Sequence, residues 1–597
     1  MTQTPLVGDR ARRESIQAEL TPAVSADLDA WLETFGSPDA NAASLLVDRH
    51  DPEAIAFTTV SLRDSAPSAK AGQPPQAEQP PLIEHPPLIE HPPLIEQPPL
   101  IEHPPLIEQP PLIEQPPLIE LVEITYGQLA ADSRRFAAAL ARLGVGRGDR
   151  VGVLMGKRSE LVVSLLALAR LGAVYIPLFT AFATPAIEMR LRAGDATVVI
   201  TEPSQASKLD AIDGLTTIVA GEQFDALVAD NEPLDHSVAI GGDGTLILLF
   251  TSGTTGAPKG VPVPLRALAS FSCYMRYGLD VSDTDVFWNA ADPGWAYGLY
   301  YGILGPMAIG RPNVLLQAGF TPEVTATVLT ELEVSNFAAA PTVYRSLSKN
   351  PAINGFSLRR ASSAGEPLTP DVITWARTAL GTEVRDHYGQ TEHGMFINNH
   401  WADDLRRRLI PGSMGQPMPG FAAGIVDDAG QPVTEPNVTG QIAIDVPAST
   451  GYWFAGYLDA PEKTASRYTE DGRWYLTGDT GHTDADANFY FSSRDDDVII
   501  MAGYRIGPFD VESVLITHPS VIDVAVVGRP DDLRGEVLEA FVVLADGAVG
   551  DDALEAELQQ LVKTGFAAHA YPRTVHFVDT LPKTPSGKIQ RFILRQR

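Results

Sequence analysis

The sequence predicts an α/β protein with a large N-terminal domain of layered βαβ sheets plus a strand-rich subdomain, followed by a small mobile α+β C-terminal domain. From Arg150 to about Ala340, short β-branched runs alternate with helical stretches, which is typical of βαβ units and a mostly parallel sheet. Beyond Gly381 the strands become shorter and turn residues separate them, and after Arg494 a smaller mixed unit follows. A chain of 597 residues also exceeds the roughly 250 to 300 residues at which single cores stop growing, so we expect at least two domains.

The large domain is expected to comprise residues 1–65 and 121–495, and the C-terminal lid residues 496–597. Between the first two ranges, residues 66–120 hold a Pro-rich insertion in which the unit (Q/H)PPLIE occurs seven times. Paired prolines fix φ and remove backbone donors, so we expect this arm to be disordered or in polyproline II. The flanking runs AIAFTTV and EITYGQL are predicted to be neighbouring strands.

Two interpretations of the arm are open. Pro-rich segments dock into aromatic grooves, so a weak protein partner is conceivable, and the other interpretation is an expanded repeat without a specific partner. Its histidines at positions 85, 91 and 103 follow the repeat, and because an extended chain does not bring ligands together, we do not expect a metal site there. The sequence does not predict an oligomeric state.

The composition excludes several function classes. A formal charge of −31 and a pI near 4.7 disfavour binding to nucleic acid and anionic membranes. Any phosphate ligand must therefore bind where positive charge is concentrated locally. The only cysteine, Cys273, lies in an apolar helical pattern and is predicted to be a buried small hydrophobe. The most apolar run, Leu161 to Leu178, is interrupted by Arg170, so we predict a core helix followed by a strand, no membrane span, and a cytoplasmic protein.

The first chemical motif follows the strand-like run TLILLF. It is a turn rich in glycine, hydroxyls and one cation, composed of Thr251, Ser252, Gly253, Thr254, Thr255, Gly256, Ala257, Pro258, Lys259 and Gly260. Glycines let backbone amides approach phosphate oxygens, hydroxyls add donors, and the lysine supplies charge, so the turn predicts a phosphate cradle. Its spacing differs from the P-loop form GxxxxGK[ST].

Two further clusters carry functional groups. Tyr388-Gly389-Gln390-Thr391-Glu392 offers an aromatic face, a hydroxyl and a carboxylate suited to Mg²⁺, directly after the apparent strand EVRDH. Tyr475-Leu476-Thr477-Gly478-Asp479 offers a carboxylate that can accept both hydroxyls of a ribose, although a Gly-Asp turn alone also explains it.

Together, and in this order, the motifs resemble the adenylate-forming superfamily of acyl-CoA synthetases, luciferases and adenylation domains. The resemblance runs from Ile124 to the C-terminus and includes TSGTTGAPKG, YGQTE, YLTGDTG, SRDDDVI, AGYRIGP and LPKTPSGKIQR. Within it the chain looks most like the medium-chain acyl-CoA synthetases, because SSAGEPL, DPGWAYGLYYGILGP and RPDDLRGEVLEAFVVL are similar to their stretches. The resemblance implies an ATP-dependent, AMP-forming acid:CoA ligase of fatty acid metabolism that uses ATP, Mg²⁺ and coenzyme A.

It also implies roles for single residues. Thr251 to Lys259 would hold the β- and γ-phosphates, and the adenine would contact Gly365, Glu366, Pro367 and Tyr388. Thr391 would contact the α-phosphate and the substrate carboxylate, and Glu392 would bind Mg²⁺. Asp479 and Arg494 would bind the ribose, and Gly389 and Gln390 belong to the same nucleotide motif. Lys588 would reach the carboxylate and α-phosphate during adenylation. Coenzyme A would meet Ala502, Gly503, Tyr504, Arg534 and Tyr571, with Arg505 facing phosphate. Asp496 matches the hinge about which the C-terminal domain rotates between the two half-reactions.

The acid is predicted to be larger than acetate. Related acetate enzymes have a tryptophan in the motif where this chain has Gly389, so we expect a deeper pocket, and Trp295 is expected either to line it or to pack in the core. Medium-chain, branched and aromatic acids all fit. The alternatives are adenylation with another acceptor, such as a carrier-protein thiol or an amine, or a non-catalytic scaffold that carries the Pro-rich arm. Because the chain ends nine residues after Lys588, we do not expect a fused carrier domain.

Overall fold

The structure is a computed structural model, and it describes nine segments of the chain. These are residues 14–18, 20–63, 117–251, 259–494, 497–501, 504–531, 534–567, 570–583 and 589–597. The repeats before residue 117 and the centre of the predicted phosphate cradle, residues 252–258, lie outside the described residues.

A six-stranded sheet forms the first layer of the large domain. In spatial order its strands are Thr216–Val219, Val198–Thr201, Arg150–Leu154, Val174–Leu178, Thr245–Thr251 and Lys259–Pro264. The first five are parallel and the last is antiparallel. Helices Tyr126–Arg142, Ser159–Leu171, Thr184–Ala193 and Glu222–Ala229 connect or cover them. The predicted βαβ alternation is therefore confirmed.

The apolar run from Leu161 to Leu178 is a buried helix followed by a buried strand, as predicted. The helix ends at Gly172, which has φ of 67° and so adopts a left-handed conformation that glycine accepts without strain. Arg170, the charge within the run, is fully buried, and its guanidinium binds the Asp48 carboxylate at 2.8 Å. The ion pair explains how an arginine is tolerated in a core helix.

A second sheet has eleven strands, of which four form a parallel part and seven an antiparallel part. Its parallel strands are Phe287–Asn289, Asn336–Ala339, Arg360–Ala364 and Val384–Gln390, and its antiparallel strands follow in the order Gly394–Asn398, Ser413–Pro417, Phe489–Arg494, Trp474–Thr483, Gly440–Asp445, Ala422–Val426 and Ile16–Gln17. Helices Pro322–Glu331, Pro341–Ser348 and Pro370–Ala379 belong to its parallel part. The strand direction reverses between Gln390 and Gly394, which is where the second motif lies.

The strands that flank the Pro-rich insertion are neighbours, as predicted. Ile55–Leu62 pairs antiparallel with Ile119–Thr125 and parallel with Asn313–Leu316. The second strand begins at Ile119, inside the last repeat, so the predicted end of the insertion at Glu120 is two residues too late. The reason is that Ile119 and Glu120 pair with Leu62 and Ser61.

The C-terminal domain has its own sheet and core. Its strands are Ile499–Met501, Tyr504–Ile506, Val521–Asp531, Gly535–Leu544 and Thr574–Phe577, and its helices are Pro508–Leu515, Asp552–Gly565 and Arg591–Leu594. Residues such as Val511, Leu538 and Leu558 are buried within this unit. A separate small α+β domain is thus confirmed, and its mobility stays a prediction.

Ten further helices, most of them short, complete the described part of the large domain. They are Pro22–Gly36, Ser44–Asp48, Ala206–Lys208, Ala267–Cys273, Tyr274–Gly278, Ala296–Leu299, Tyr300–Leu304, Gly305–Ile309, Val446–Ala448 and Pro461–Ala465. Cys273 ends one of them, is buried as predicted, and has its thiol pKa raised by that burial. Among the described residues, no helix combines the length and apolar character needed to cross a bilayer.

Candidate active site

The second and third motifs meet at one carboxylate. The Tyr388 hydroxyl donates a hydrogen bond to Asp479 Oδ2 at 2.6 Å, and the Gln390 amide donates to the same oxygen at 2.7 Å. Arg494, the cross-strand partner of Asp479, places its guanidinium 3.3 Å from Oδ1. Asp479 is only 4% exposed, so residues that are distant in sequence form one buried polar centre.

Burial and the Asp479 charge shift the chemistry of this centre. Burial raises the pKa of Tyr388 well above its ordinary value, and the neighbouring carboxylate raises it further. The phenol therefore keeps its proton and donates a hydrogen bond to Asp479. The second carboxylate oxygen, Oδ1, is buried and accepts no hydrogen bond from the described residues.

A tyrosine and an arginine that the motifs did not identify hold the Glu392 carboxylate. The Tyr457 hydroxyl donates to Glu392 Oε1 at 2.8 Å, and Arg467 Nε donates to the Tyr457 oxygen at 3.2 Å. Arg467 also donates to the carbonyl of Thr477 at 3.3 Å, which links Glu392 to the third motif. Both side chains come from the stretch GYLDAPEKTASRY, in which no spacing marks them as functional.

The ends of the predicted phosphate cradle face the same cluster. Thr251 and Lys259 are cross-strand partners of an antiparallel strand pair, so the two ends of the motif lie side by side. The Lys259 ammonium lies 5.0 Å from the centre of the Tyr457 ring. Burial lowers the pKa of Lys259, as do Arg467, Lys463 and Arg494, whereas Glu392 raises it. This concentration of cations is the local exception that an acidic chain needs in order to bind phosphate.

The predicted adenine segment lies beside Tyr388. Ala364 pairs with His387, so Gly365 follows at the same sheet edge, with φ of 105°. The next residue, Glu366, forms an ion pair with Arg345 at 2.9 Å.

Gly389 lies where two strands approach closely. A Cβ at this position would come within 2.2 Å of the Gly394 carbonyl oxygen and 2.6 Å of Met395 Cα, and the strand register shifts between Tyr388 and Gly389. The glycine is therefore required for packing, and the deeper acyl pocket stays a prediction. The next turn is tied to the core, because the Tyr300 hydroxyl donates to the Thr391 carbonyl at 3.1 Å.

Trp295 belongs to an aromatic group with Phe179 and Phe182, at ring-centre distances of 5.3 and 5.5 Å. Its indole nitrogen is buried and has no acceptor among the described residues. Nearby, Lys157 donates to the Ala290 carbonyl at 2.6 Å. Burial raises the pKa of Asp292 and lowers that of Lys157, and the attraction between the two charges opposes both shifts.

The predicted coenzyme A residues that the structure describes form a basic patch on the small domain. Met501 pairs with both Tyr504 and Gly535, so the described ends of these strands lie close to Arg534, which precedes Gly535 in the chain. The Tyr571 ring lies between Lys563 at 3.9 Å and Arg573 at 3.8 Å. Burial lowers the pKa of Arg573 and the Arg534 charge lowers it further, so these guanidiniums are close enough to interact. Sequence reasoning missed Arg573 and Lys563.

The remaining predicted positions cannot be placed in this site. Arg505 lies in the described strand Tyr504–Ile506, where it pairs with Ile500. Ser252, Gly253, Thr254, Thr255, Gly256, Asp496, Ala502, Gly503 and Lys588 lie outside the described residues, and their roles stay predictions.

Comparison with known proteins identifies the class. Residues 114–458 match the family described as AMP-binding enzyme, and residues 510–588 match its C-terminal domain. The chain belongs to this family and, within it, to the AMP-forming acyl-CoA synthetases.

Individual relatives agree with that class. The chain is 37% identical to acetyl-coenzyme A synthetase of Bacillus subtilis (strain 168), over 79% of this chain and 84% of that protein. It is 36% identical to the mitochondrial acyl-coenzyme A synthetase ACSM3 of Mus musculus, over 79% and 84%. Among solved structures, an acyl-CoA synthetase of Brucella canis superposes with a TM-score of 0.68 at 39% identity, covering 96% of both chains. A benzoate CoA ligase of Burkholderia xenovorans LB400 gives 0.71 at 29% identity, covering 79% of this chain and 94% of that one.

Proposed function

We propose that this acyl-CoA synthetase acts on a carboxylic acid larger than acetate, in two half-reactions that use different faces of the site. In the first, a carboxylate oxygen attacks the α-phosphorus of ATP, and pyrophosphate leaves. In the second, the coenzyme A thiol attacks the acyl carbon, loses its proton, and AMP leaves. The observation that carries the proposal is the convergence of Tyr388, Gln390 and Arg494 on Asp479, beside the buried Glu392 carboxylate.

Asp479 is suited to bind the ribose of ATP. Its Oδ2 is already held by two donors, which fixes the carboxylate plane, whereas Oδ1 accepts no hydrogen bond from the described residues. This oxygen faces the Arg494 guanidinium at 3.3 Å, and a ribose hydroxyl would give it a hydrogen bond. A carboxylate oriented before substrate arrives loses little entropy on binding.

Glu392 is suited to hold Mg²⁺ with the phosphates. Mg²⁺ in nucleotide enzymes usually takes one or two carboxylates together with phosphate oxygens and water, so a single protein carboxylate is enough. The described residues contain no cluster of three or more acidic, histidine or cysteine ligands, which favours this shared arrangement over an all-protein cage. The ion would offset negative charge on the phosphates during adenylation. Tyr457 and Arg467 would keep the carboxylate oriented.

Strand packing explains Gly389, so this glycine is not evidence for a deep acyl pocket. We base the proposal of an acid larger than acetate on aromatic side chains. Phe182 is buried in a core cluster, and the partly buried rings of Phe179 and Trp295 pack against it; we assign the acyl chain to the partly buried side of these two rings. The relatives' names include both acetyl- and acyl-coenzyme A synthetases. Each methylene buried there would contribute about 0.8 kcal/mol, so selectivity between neighbouring chain lengths is expected to be modest.

The first experiment measures pyrophosphate and AMP release with ATP, Mg²⁺ and acids from acetate to dodecanoate and benzoate, with and without coenzyme A. We expect turnover that needs coenzyme A and peaks beyond acetate. Trp295→Ala should shift the preferred chain length, whereas Trp288→Phe, a change in a buried tryptophan of another core cluster, should not. Pyrophosphate exchange without coenzyme A-dependent turnover would indicate another acceptor.

A second experiment separates the half-reactions. We expect Lys588→Ala to abolish adenylation while the variant still forms thioester from supplied acyl-adenylate, and we expect Gly503→Leu to do the reverse. The reason is that domain rotation would withdraw the lysine and bring the stretch around Gly503 to the thiol channel. Removing a charge that acts only in the first transition state should cost about 1,000-fold or more in that step. Equal loss of both steps in each variant would contradict the alternation.

A further inference from the structure

A second concave site lies far from the nucleotide motifs. Its volume is about 500 Å³, within the range of small-molecule pockets, and its lining residues are Arg377, Glu383, Arg385, Arg406, Arg407, Arg408, Leu409 and Pro411. We call it the arginine cavity. It lies at the beginning of strand Val384–Gln390, whereas Tyr388 and Gln390 lie at its end. Arg385 and Gln390 are therefore roughly 17 Å apart along the strand.

The lining has a large excess of positive charge. It contains five guanidiniums and one carboxylate. Both oxygens of that carboxylate, Glu383, are already engaged, one with Arg385 at 2.6 Å and the other with Arg377 at 3.4 Å. Arg406 comes only within 4.0 Å of Asp403, whose side chain is 89% exposed. In a chain of net charge −31, such a local excess is costly unless an anion offsets it.

Arg385 lines the cavity, and hydrogen bonds hold its guanidinium in place. It is 2% exposed and donates to the carbonyls of His400 at 2.8 Å and Arg407 at 3.0 Å. Its Nε–H is buried and has no acceptor among the described residues. Burying a charge with an unused donor is unfavourable without a ligand, so this atom points independently to a missing acceptor.

Three guanidiniums crowd around one buried indole beside the cavity. Arg385, Arg360 and Arg406 lie 4.5, 4.8 and 5.0 Å from the Trp401 ring centre. Burial lowers the pKa of Arg385, and the charges of Arg406 and Arg360 lower it further, although pairing with Glu383 raises it. The like charges are held close together before any ligand binds, as a preorganised anion site requires.

We propose that the arginine cavity binds a compact polyphosphate anion at a site distinct from the nucleotide site. Guanidinium groups present paired N–H donors that match phosphate oxygens, and several together suit a ligand with two or more phosphates. The five arginines are grouped around one cavity of limited volume, and the net negative charge of the whole chain repels a long polyanion. A small polyphosphate is therefore favoured over a nucleic acid as the ligand.

The test is a titration of the full chain with inorganic tripolyphosphate at low ionic strength, followed by calorimetry. The variant Arg406→Glu/Arg408→Glu changes two exposed arginines of the cavity, and Arg142→Glu/Arg276→Glu is a control with the same charge change on exposed arginines elsewhere. Lys259→Ala separates binding at the phosphate cradle. We expect a binding event that the cavity variant weakens about tenfold or more, and that persists in the control and in Lys259→Ala.

Pyrophosphate exchange should stay within about twofold of wild type in the cavity variant, which separates this test from that of the proposed function. If the double variant fails to fold, Arg408→Gln serves the same comparison with a smaller expected loss. Equal isotherms for wild type and cavity variant, or no binding left in Lys259→Ala, would overturn the proposal. Tighter binding of a 20-nucleotide single strand through the same arginines would overturn the assignment to a small ligand.

Discussion

The two sides of the proposed site differ in how firmly their residues are held. On the nucleotide side, Asp479 and Glu392 are 4% and 7% exposed, and hydrogen bonds from Tyr388, Gln390 and Tyr457 fix their carboxylates. On the coenzyme A side, the Arg534 side chain is 46% exposed and approaches Asp531 only at 3.9 Å. The first set is preorganised within one domain, whereas the second is a solvated patch on another.

The difference teaches how one enzyme can run two reactions. Groups that bind ATP must resist strong charge repulsion, so they are buried and oriented in advance. In the proposed mechanism, the groups that would bind the coenzyme A phosphates remain in water until the small domain moves to the acyl-adenylate, and each contact would contribute modestly. Substitutions on the nucleotide side should therefore cost more than substitutions on the patch.

The largest effect is expected from Asp479→Asn. The amide cannot accept from Tyr388, Gln390 and a ribose together, so adenylation should fall about 100-fold, equivalent to about 2.7 kcal/mol. Pyrophosphate exchange measures it. Asp445→Asn is the matched control, because Asp445 is a buried carboxylate paired with Arg473 at 3.0 Å on the same sheet. A similar loss of exchange in both variants would mean that Asp479 acts only through the fold.

Tyr457→Phe should have a smaller effect on the same side. It removes the hydrogen bond to Glu392 and the acceptor for Arg467 while keeping the ring that Lys259 faces, so we expect exchange to fall about tenfold. The Mg²⁺ concentration at half-maximal rate should rise, because the freed carboxylate must be ordered by the ion. Tyr468→Phe, which removes a hydroxyl pair with Tyr452, should leave that concentration unchanged. If the Mg²⁺ concentration at half-maximal rate were unchanged in Tyr457→Phe, Tyr457 would have no role in metal binding.

Local patterns predicted the layers of the fold well. The alternation after Arg150 predicted the parallel sheet, because the apolar pattern of each strand and helix lies within one continuous stretch of sequence. The last repeat was harder: its PPLIE letters match the repeats before it, yet Ile119 and Glu120 are in a strand because Ser61 and Leu62 pair with them. Pairing with a distant segment, which a local pattern does not contain, decided that boundary.

The residues of the candidate site could be predicted where they lie in short motifs. Asp479, Glu392 and Lys259 each lie in a dense motif, but Tyr457 and Arg467 act only through contacts with residues up to 65 positions away. Gly389 shows the opposite difficulty, because its absence of a side chain suggested space, whereas the neighbouring strand occupies that direction. Contacts across the chain, invisible in a linear pattern, account for both.

On the coenzyme A side, Arg573→Ala should have a moderate effect. The guanidinium lies on the Tyr571 ring and interacts with Arg534, so its loss should raise KM for coenzyme A about fivefold and leave pyrophosphate exchange unchanged. Steady-state thioester formation at varied coenzyme A measures it, with Arg595→Ala, in the same domain and paired with Asp497, as the control. If Arg573→Ala lowered the rate of pyrophosphate exchange by a larger factor than it raised KM for coenzyme A, Arg573 would belong to the nucleotide side of the site.

The smallest effect on activity is expected from removing the Pro-rich arm. The backbone N–H of Arg63 donates to the Leu118 carbonyl at 2.9 Å, so the two strand ends are adjacent and a short Asn-Gly turn in place of residues 66–116 can close the hairpin. Shortening the loop should stabilise the fold by about 2 kcal/mol, since each doubling of loop length costs about 0.6 kcal/mol. Urea denaturation measures this stability, and both half-reactions should keep their wild-type rates. A raised KM for coenzyme A in the shortened chain would show that the arm contributes to coenzyme A binding. The coenzyme A side would then consist of the solvated patch and the arm together.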